Sequence, residues 1–416
     1  MKKLVRKLVL FTILVSGTQV ISLPVGSLTI FQMALIITIL LALADVVVSR
    51  KILNGRYLIF VCLFAISTFI AWLMSTYPSW ANSYFLLGLM ITIVVFVMPN
   101  TFRINDIDLL EKTLIRSQYI VFPFSIYNII VFYTRGGMPT TIKLLGGMFI
   151  ELDKNALLRG QASSQVRLML PYSTPPVLSV VMAICIIILM TNDKLFKPQI
   201  RWGLLVAFSV VLFLTGSRTG MVGLSIVLFI MTLNAFKRKK IKRSYVFGGV
   251  VVMVFAIIIF FSISDTTYIQ KLIKRFMNIN LMEDRHFLVP LDGIIIWLSS
   301  LKNFTLGIGF GSSIYLQGAH TYLPAYFLNS FVTLLAERGI LGLIIAVMLI
   351  RLVFSIKKEA SNYSSIRSVR YALMTGLFSC MFYEALNCYF LIFIIGICYM
   401  VDCHYCRKIT NREVIK

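Results

Sequence analysis

Charge is what this sequence has least of. Only 13% of its residues are Asp, Glu, Lys or Arg, against roughly a quarter in an ordinary soluble domain. Acidic residues are the scarcer kind, 16 against 40 basic. With 59% hydrophobic residues and a mean hydropathy of +0.89, the composition excludes a soluble globular protein and indicates a polytopic membrane protein. Histidine is rarer still, at three residues. Most of the seven cysteines lie inside apolar runs, so the loops have no disulfide framework. Cys403-His404-Tyr405-Cys406 is a CxxC with a histidine but no fourth ligand nearby, and neither a metal nor a cofactor is expected. Internal repeats, heptad arrays and low-complexity linkers are also missing, so residues 1–416 read as one membrane domain.

Apolar runs near the ~20 residues needed to cross a ~30 Å hydrocarbon core fall at about 8–24, 28–48, 57–74, 81–98, 117–134, 171–191, 202–216, 220–236, 245–263, 332–356, 370–387 and 388–403. The expectation is an all-α fold of about twelve transmembrane helices. Lys2, Lys3, Arg6 and Lys7 precede the first run, which reads as an uncleaved helix because further spans follow at once. Most of the basic residues then fall in one set of short segments, including Arg50/Lys51, Arg103/Lys112/Arg116, Lys194/Lys197/Arg201, Lys237–Lys240 and Arg407/Lys408. The positive-inside rule makes those segments and both termini cytoplasmic. Dispersed charge of this kind serves topology and contact with anionic lipid headgroups, and does not form a nucleic-acid-binding face.

Two outer loops are long, 135–170 and 264–331, and long loops in compact proteins are usually functional. Within the second, Thr267–Met277 and Phe287–Leu301 have the spacing of short amphipathic helices on the membrane surface. Arg159 and Arg167 in the first loop, Arg285 in the second, and Arg218 in the hairpin Ser217-Arg218-Thr219-Gly220 could together surround a pyrophosphate, since guanidinium grips phosphate bidentately. Each alone also fits ordinary solvated charge, a pair with Glu151, Asp153, Glu283 or Asp284, or, for Arg218, snorkelling to headgroups. His320 is the histidine placed for proton transfer, with an ordinary pKa of about 6.5. Gly307, Gly309 and Gly311 read as a close backbone approach at a tight bend. Glu337 and Arg338 stand just before a helix at Gly339, where they can pair, cap or face a cavity. Glu384 is an acid inside a predicted span.

LTGSRTG (Leu214 to Gly220), the sequence from Arg285 through Trp297 to Gly307-Ile308-Gly309-Phe310-Gly311, and NSFVTLLAERGILGL (Asn329 to Leu343) together resemble the O-antigen polymerase and O-antigen ligase superfamily of bacterial membrane glycosyltransferases. The resemblance implies a GT-C-like, metal-independent enzyme in the bacterial cytoplasmic membrane, acting on the outer face on undecaprenyl-pyrophosphate-linked oligosaccharides. Arg218 and Arg285 would grip the pyrophosphate of the donor, with Arg159, Arg167, Glu337 and Arg338 as further substrate contacts. A histidine would activate the acceptor hydroxyl for inverting attack. The family pattern places that histidine directly before the Asn; here Leu328 stands there, and His320-Thr321-Tyr322-Leu323 resembles the motif earlier in the chain. The implied partners are the lipid-linked glycans, membrane lipids and a chain-length regulator protein, with no nucleic acid.

Polymerase and ligase share these motifs and differ in acceptor: a second lipid-linked repeat unit, or the lipid A core. Polymerase is the preferred reading. A polysaccharide-unit flippase would show pseudo-symmetric halves and charges lining a central path, and neither is evident here. A peptidoglycan-type polymerase would bring a catalytic acid in the large outer loop, where Asp265, Glu283, Asp284 and Asp292 are generic candidates.

Overall fold

The computed structural model describes residues 2–18, 21–22, 30–49, 56–76, 78–135, 141–144, 148–151, 168, 171–172, 174–237, 285–311, 327–356, 363–383, 386 and 388–413. The helices are α1 (Lys2–Val15), α2 (Ile30–Ser49), α3 (Arg56–Leu73), α4 (Pro78–Thr101), α5 (Ile107–Ser117), α6 (Val121–Arg135), α7 (Pro175–Thr191), α8 (Pro198–Leu214), α9 (Arg218–Lys237), α10 (Arg285–Leu298), α11 (Leu301–Leu306), α12 (Ser330–Ser355), α13 (Ser364–Cys380) and α14 (Tyr389–Glu413). Every apolar run expected from the sequence falls on one of these except 245–263, which lies outside the described residues. By length and composition Ile30–Val48, Tyr84–Thr101, Arg218–Phe236 and Ser330–Ser355 can cross a membrane, and Tyr57–Leu73, Pro175–Thr191, Pro198–Leu214 and Tyr389–Tyr405 are shorter apolar helices. The chain is a helical membrane protein.

Two helices form the centre because they are apolar all round, the pattern of a helix with no solvated face. One is α7, buried without interruption from Leu178 to Leu189; the other is α14, buried from Phe390 to Cys403. Around α7 pack α8, α9 and α13, while α14 packs on α4 and α13. α12 touches α3, α13 and the pair α10–α11. Small residues set the close approach at the start of α9: a Cβ on Gly220 would strike the Ser179 carbonyl of α7, and one on Gly223 would strike Ser379 Oγ of α13.

Three findings depart from the expected layout. The run predicted as one span from 332 begins at Ser330, and non-helical backbone at Gly339 splits it into halves 330–338 and 340–355, about 14 Å and 24 Å long at 1.5 Å per residue. The run predicted over 370–387 sits earlier, on α13, which ends at Cys380; Glu384 lies outside the described residues. Part of the first long loop is extended rather than helical: Thr141–Leu144 (β2) and Met148–Glu151 (β3) pair antiparallel, and β3 pairs with Ile21–Ser22 (β1) in the order β1-β3-β2. The alternating Thr141-Ile142-Lys143-Leu144, followed by Gly146-Gly147, suits such a hairpin.

Candidate functional site

The sequence-predicted residues fall into two groups. His320, Arg159 and Arg167 lie outside the described residues, as does Thr267–Met277; Arg285 is described in backbone only, as the first residue of α10. Arg218, Glu337 and Arg338 are described in full.

Arg218 opens α9 after a turn that the sequence dictates locally. Gly216 takes φ +56°, a conformation that suits glycine. The Ser217 N–H donates to Thr215 Oγ1 at 3.2 Å, and Thr215 Oγ1 donates to the Leu212 carbonyl at 2.7 Å. One turn further, the Gly220 N–H donates to Ser179 Oγ at 3.1 Å, tying the start of α9 to α7. A cationic side chain at a helix N-terminus opposes the helix dipole. An anion at that position is favoured by the arginine and by the helix dipole together.

The Gly307–Gly311 turn and the Glu337-Arg338-Gly339 sequence meet as one knot. Gly339 adopts φ 58°, ψ −140°, which interrupts the α12 hydrogen-bond ladder and frees carbonyls of the preceding turn. The Ile308 N–H takes the Ala336 carbonyl at 2.9 Å, and the Gly309 N–H takes that of Glu337 at 3.2 Å. A Cβ on Gly307 would strike the Glu337 carbonyl, and one on Gly339 that of Thr305. The expected close backbone approach is therefore made, and its partner is Glu337-Arg338. The Glu337 carboxylate accepts from the Gly311 N–H at 3.0 Å. The next link runs to α3: the Phe310 N–H donates to the Ala71 carbonyl at 2.9 Å, and Ser75 Oγ to the Phe310 carbonyl at 2.6 Å.

Arg338 fills the centre of this knot. Its guanidinium lies between the rings of Phe64 and Phe310, 4.4 and 4.9 Å from their centroids. Nη1 donates to Ser67 Oγ at 2.9 Å and Thr68 Oγ1 at 3.1 Å. Both Glu337 and Arg338 are buried, at 5% and 7% exposure. They line a cavity of about 30 Å³ with Tyr84, Gly88 and Ser330, room for about one water molecule. Of the alternatives left open by the sequence, this pair faces a cavity and braces the fold.

Asn329 and Ser330 stitch the start of α12 to the chain after α13. Asn329 caps the helix through Oδ1, which accepts from the Phe331 and Val332 N–H groups, while its Nδ2 donates to the Met381 carbonyl at 2.8 Å. Ser330 Oγ donates to the Tyr383 carbonyl at 3.0 Å and accepts from the Leu386 N–H. α12 touches α13, and α13 packs on α9, so the knot connects through α12 and α13 to the helix that Arg218 opens.

The sequence reading missed a polar cluster at the opposite end of the bundle. Asn192, which closes α7, donates through Nδ2 to Asp108 Oδ1 at 2.8 Å and Glu111 Oε2 at 2.7 Å. Ser365 Oγ of α13 donates to the same Asp108 oxygen at 2.6 Å. Glu111 Oε1 is buried without a hydrogen-bond partner. Burial pushes the Glu111 carboxyl up to about 8; the nearby Ser368 hydroxyl and the Asn192 amide pull it back, and the Asp108 charge adds to the rise. The signal was present in α5, where Glu111 shares the stripe of buried Ile107, Leu110, Leu114 and Ile115. An acid on the apolar face of an amphipathic helix marks a buried polar contact.

Among the described residues no group of three His, Cys, Asp or Glu could hold a metal ion. No curated protein matches the chain. Residues 202–347 match the family described as O-antigen ligase. That match runs from α8 into the second half of α12 and takes in both the Arg218 turn and the Gly307–Gly339 knot; over that region it supports the resemblance to the O-antigen ligase and polymerase superfamily of glycosyltransferase-like membrane enzymes.

Proposed function

We propose that this protein is a polysaccharide polymerase. It joins undecaprenyl-pyrophosphate-linked repeat units on the outer face of the bacterial cytoplasmic membrane, in a GT-C-like fold of about twelve spans with both termini cytoplasmic. The observation that carries the site is Arg218, a guanidinium at the N-terminus of a 20-residue helix, inside the matched region. In this reading the donor pyrophosphate sits there, with Arg285, Arg159 and Arg167 sharing its charge. Pyrophosphate is already a good leaving group, so charge stabilisation and one base suffice for inverting transfer without a metal. His320 is the base in this proposal: it takes the acceptor hydroxyl proton as the oxygen attacks the anomeric carbon, and the C–O bond to pyrophosphate breaks. Glu337 and Arg338 contribute by fixing the turn at Gly311, the last described residue before the segment that holds His320. Chain length would be set by a separate regulator protein.

The orientation is supported by where charge falls in the bundle. Lys112, Lys194, Lys197, Arg201 and Arg367 belong to the Asn192 end, opposite Arg218, as the positive-inside rule requires of a cytoplasmic face. The family match gives no support to a flippase.

The test is a gel of surface polysaccharide, stained for glycan, from a strain lacking the gene and from strains carrying Arg218→Ala, Arg285→Ala or His320→Ala. A ladder collapsing to single-unit substitution in all of them, with each variant protein still in the membrane, is the expected result. Loss of surface glycan with intact polymer left on the carrier lipid identifies a ligase instead. Normal ladders in all three variants overturn the mechanism.

A further inference from the structure

An apolar groove of about 770 Å³ runs along α7 and α8, from Arg201 at one end to Leu214 at the other. Its walls include Met190 of α7 and Leu205, Val206, Val210 and Phe213 of α8. Trp202, Val206 and Val210 recur every fourth residue, so they form one stripe of α8, and each is more than half exposed, at 62%, 63% and 51%. On a membrane helix such a stripe faces acyl chains, and here the groove between α7 and α8 gives those chains a shaped seat.

One end of the groove is different. Arg201 lines it there, half-buried, beside Trp202. Among the described residues this guanidinium has no carboxylate within ion-pair distance; the nearest acid in sequence, Asp193, is exposed and makes no pair with it. Lys194 and Lys197, also exposed, add positive charge on the same side. From Arg201 to Leu214 the groove follows α8 for about 20 Å, more than one leaflet of a ~30 Å hydrocarbon core. Tryptophan and a cation at the boundary, with apolar depth behind them, match a lipid's headgroup and chains in turn.

We propose that this groove is a binding site for an anionic phospholipid, whose phosphate pairs with Arg201 and whose acyl chains lie along Leu205, Val206 and Val210. The donor lipid of the proposed reaction is the poorer occupant, because its pyrophosphate belongs at the Arg218 end and the groove's cation is at the other. The site depends on the protein's being in a membrane and is independent of the glycosyl-transfer reading. An occupied groove braces α8, which leads through Thr215, Gly216 and Ser217 directly to Arg218.

Native mass spectrometry of the full-length protein in detergent, with phosphatidylglycerol or phosphatidylcholine added, tests this. The protein should retain phosphatidylglycerol roughly five-fold over phosphatidylcholine, the selectivity expected of one basic residue at a headgroup. Arg201→Gln should abolish the preference, and Arg201→Lys should keep most of it. Val206→Trp, which fills the groove, should reduce retention of both lipids while the protein still elutes as a single species. Equal retention of phosphatidylglycerol by the original protein and Arg201→Gln overturns the proposal. So does a polyprenyl lipid as the retained species. A disulfide between Val206→Cys and a cysteine placed within 245–263, with no lipid bound, also overturns it, by showing that the chain itself occupies the groove.

Discussion

The knot at Gly307–Gly339 and the cluster at Glu111 both bury charge, and they satisfy it by different means. In the knot, backbone does most of the bonding: two carbonyls released by Gly339 are taken by the Gly-turn N–H groups, and the Glu337 carboxylate accepts from a third N–H, that of Gly311. Arg338 adds two hydroxyl acceptors and two aromatic faces. At the other end, side chains do most of the bonding, and the buried Glu111 Oε1 is left without a partner. A backbone-built site holds one geometry because its groups have nowhere else to go. A site built from half-satisfied side chains depends on protonation instead.

Removing the backbone device should have the largest effect. Gly339→Ala places a Cβ against the Thr305 carbonyl at a φ/ψ that L-residues avoid, and the strain and clash together should exceed about 4 kcal/mol. The expected outcome is loss of the monodisperse peak on size-exclusion chromatography in detergent. A variant that elutes and melts like the original protein would mean that the break at Gly339 does not hold the knot together.

Glu111→Gln sharpens the other side of the comparison, and here the variant should be the more stable protein. The folded carboxyl titrates near 8 against 4.5 unfolded. Below about pH 4.5 it is protonated in both states and has no effect. As pH rises from 4.5 to 8 the unfolded chain gives up this proton and the folded one keeps it, so stability falls, and above 8 the full loss remains. A difference of that size corresponds to about 4 kcal/mol at pH 8. Thermal melts of the original protein and Glu111→Gln should therefore coincide near pH 4 and separate by several degrees at pH 8, with the variant higher. A constant gap across that range would show that Glu111 does not titrate as burial requires.

The contrast also explains what could be read from the sequence. Glycine spacing and Glu-Arg-Gly are local signals, so the tight bend at 307–311 and a helix after Gly339 were legible. The pairing of the two was not, because no local feature of Gly309 names the Glu337 carbonyl as its acceptor. The apolar runs fixed where helices lie, and the hairpin at Thr141–Glu151 was passed over because its period-two alternation is short and sits in a polar loop. Glu111 was missed for a related reason: its partners, Asp108, Asn192 and Ser368, come from three separate helical segments, and only folding puts them together.

The finest distinction lies within the knot itself, between the charge of Glu337 and its shape. One bond it makes is to a backbone N–H, which needs an acceptor and not an anion. Glu337→Gln keeps an acceptor oxygen in the same place and should change stability by less than about 1 kcal/mol, whereas Glu337→Ala leaves the buried Gly311 N–H unsatisfied, at a cost of about 2 kcal/mol. The two melting temperatures, measured side by side at one pH, decide the point. If Gln were as damaging as Ala, the carboxylate's charge would be what the knot needs, and its nearest use would be to balance the adjacent buried guanidinium of Arg338. If only Ala is damaging, Glu337 acts as one more acceptor in a backbone-built joint, and the positive charge of Arg338 is held by hydroxyls and rings alone.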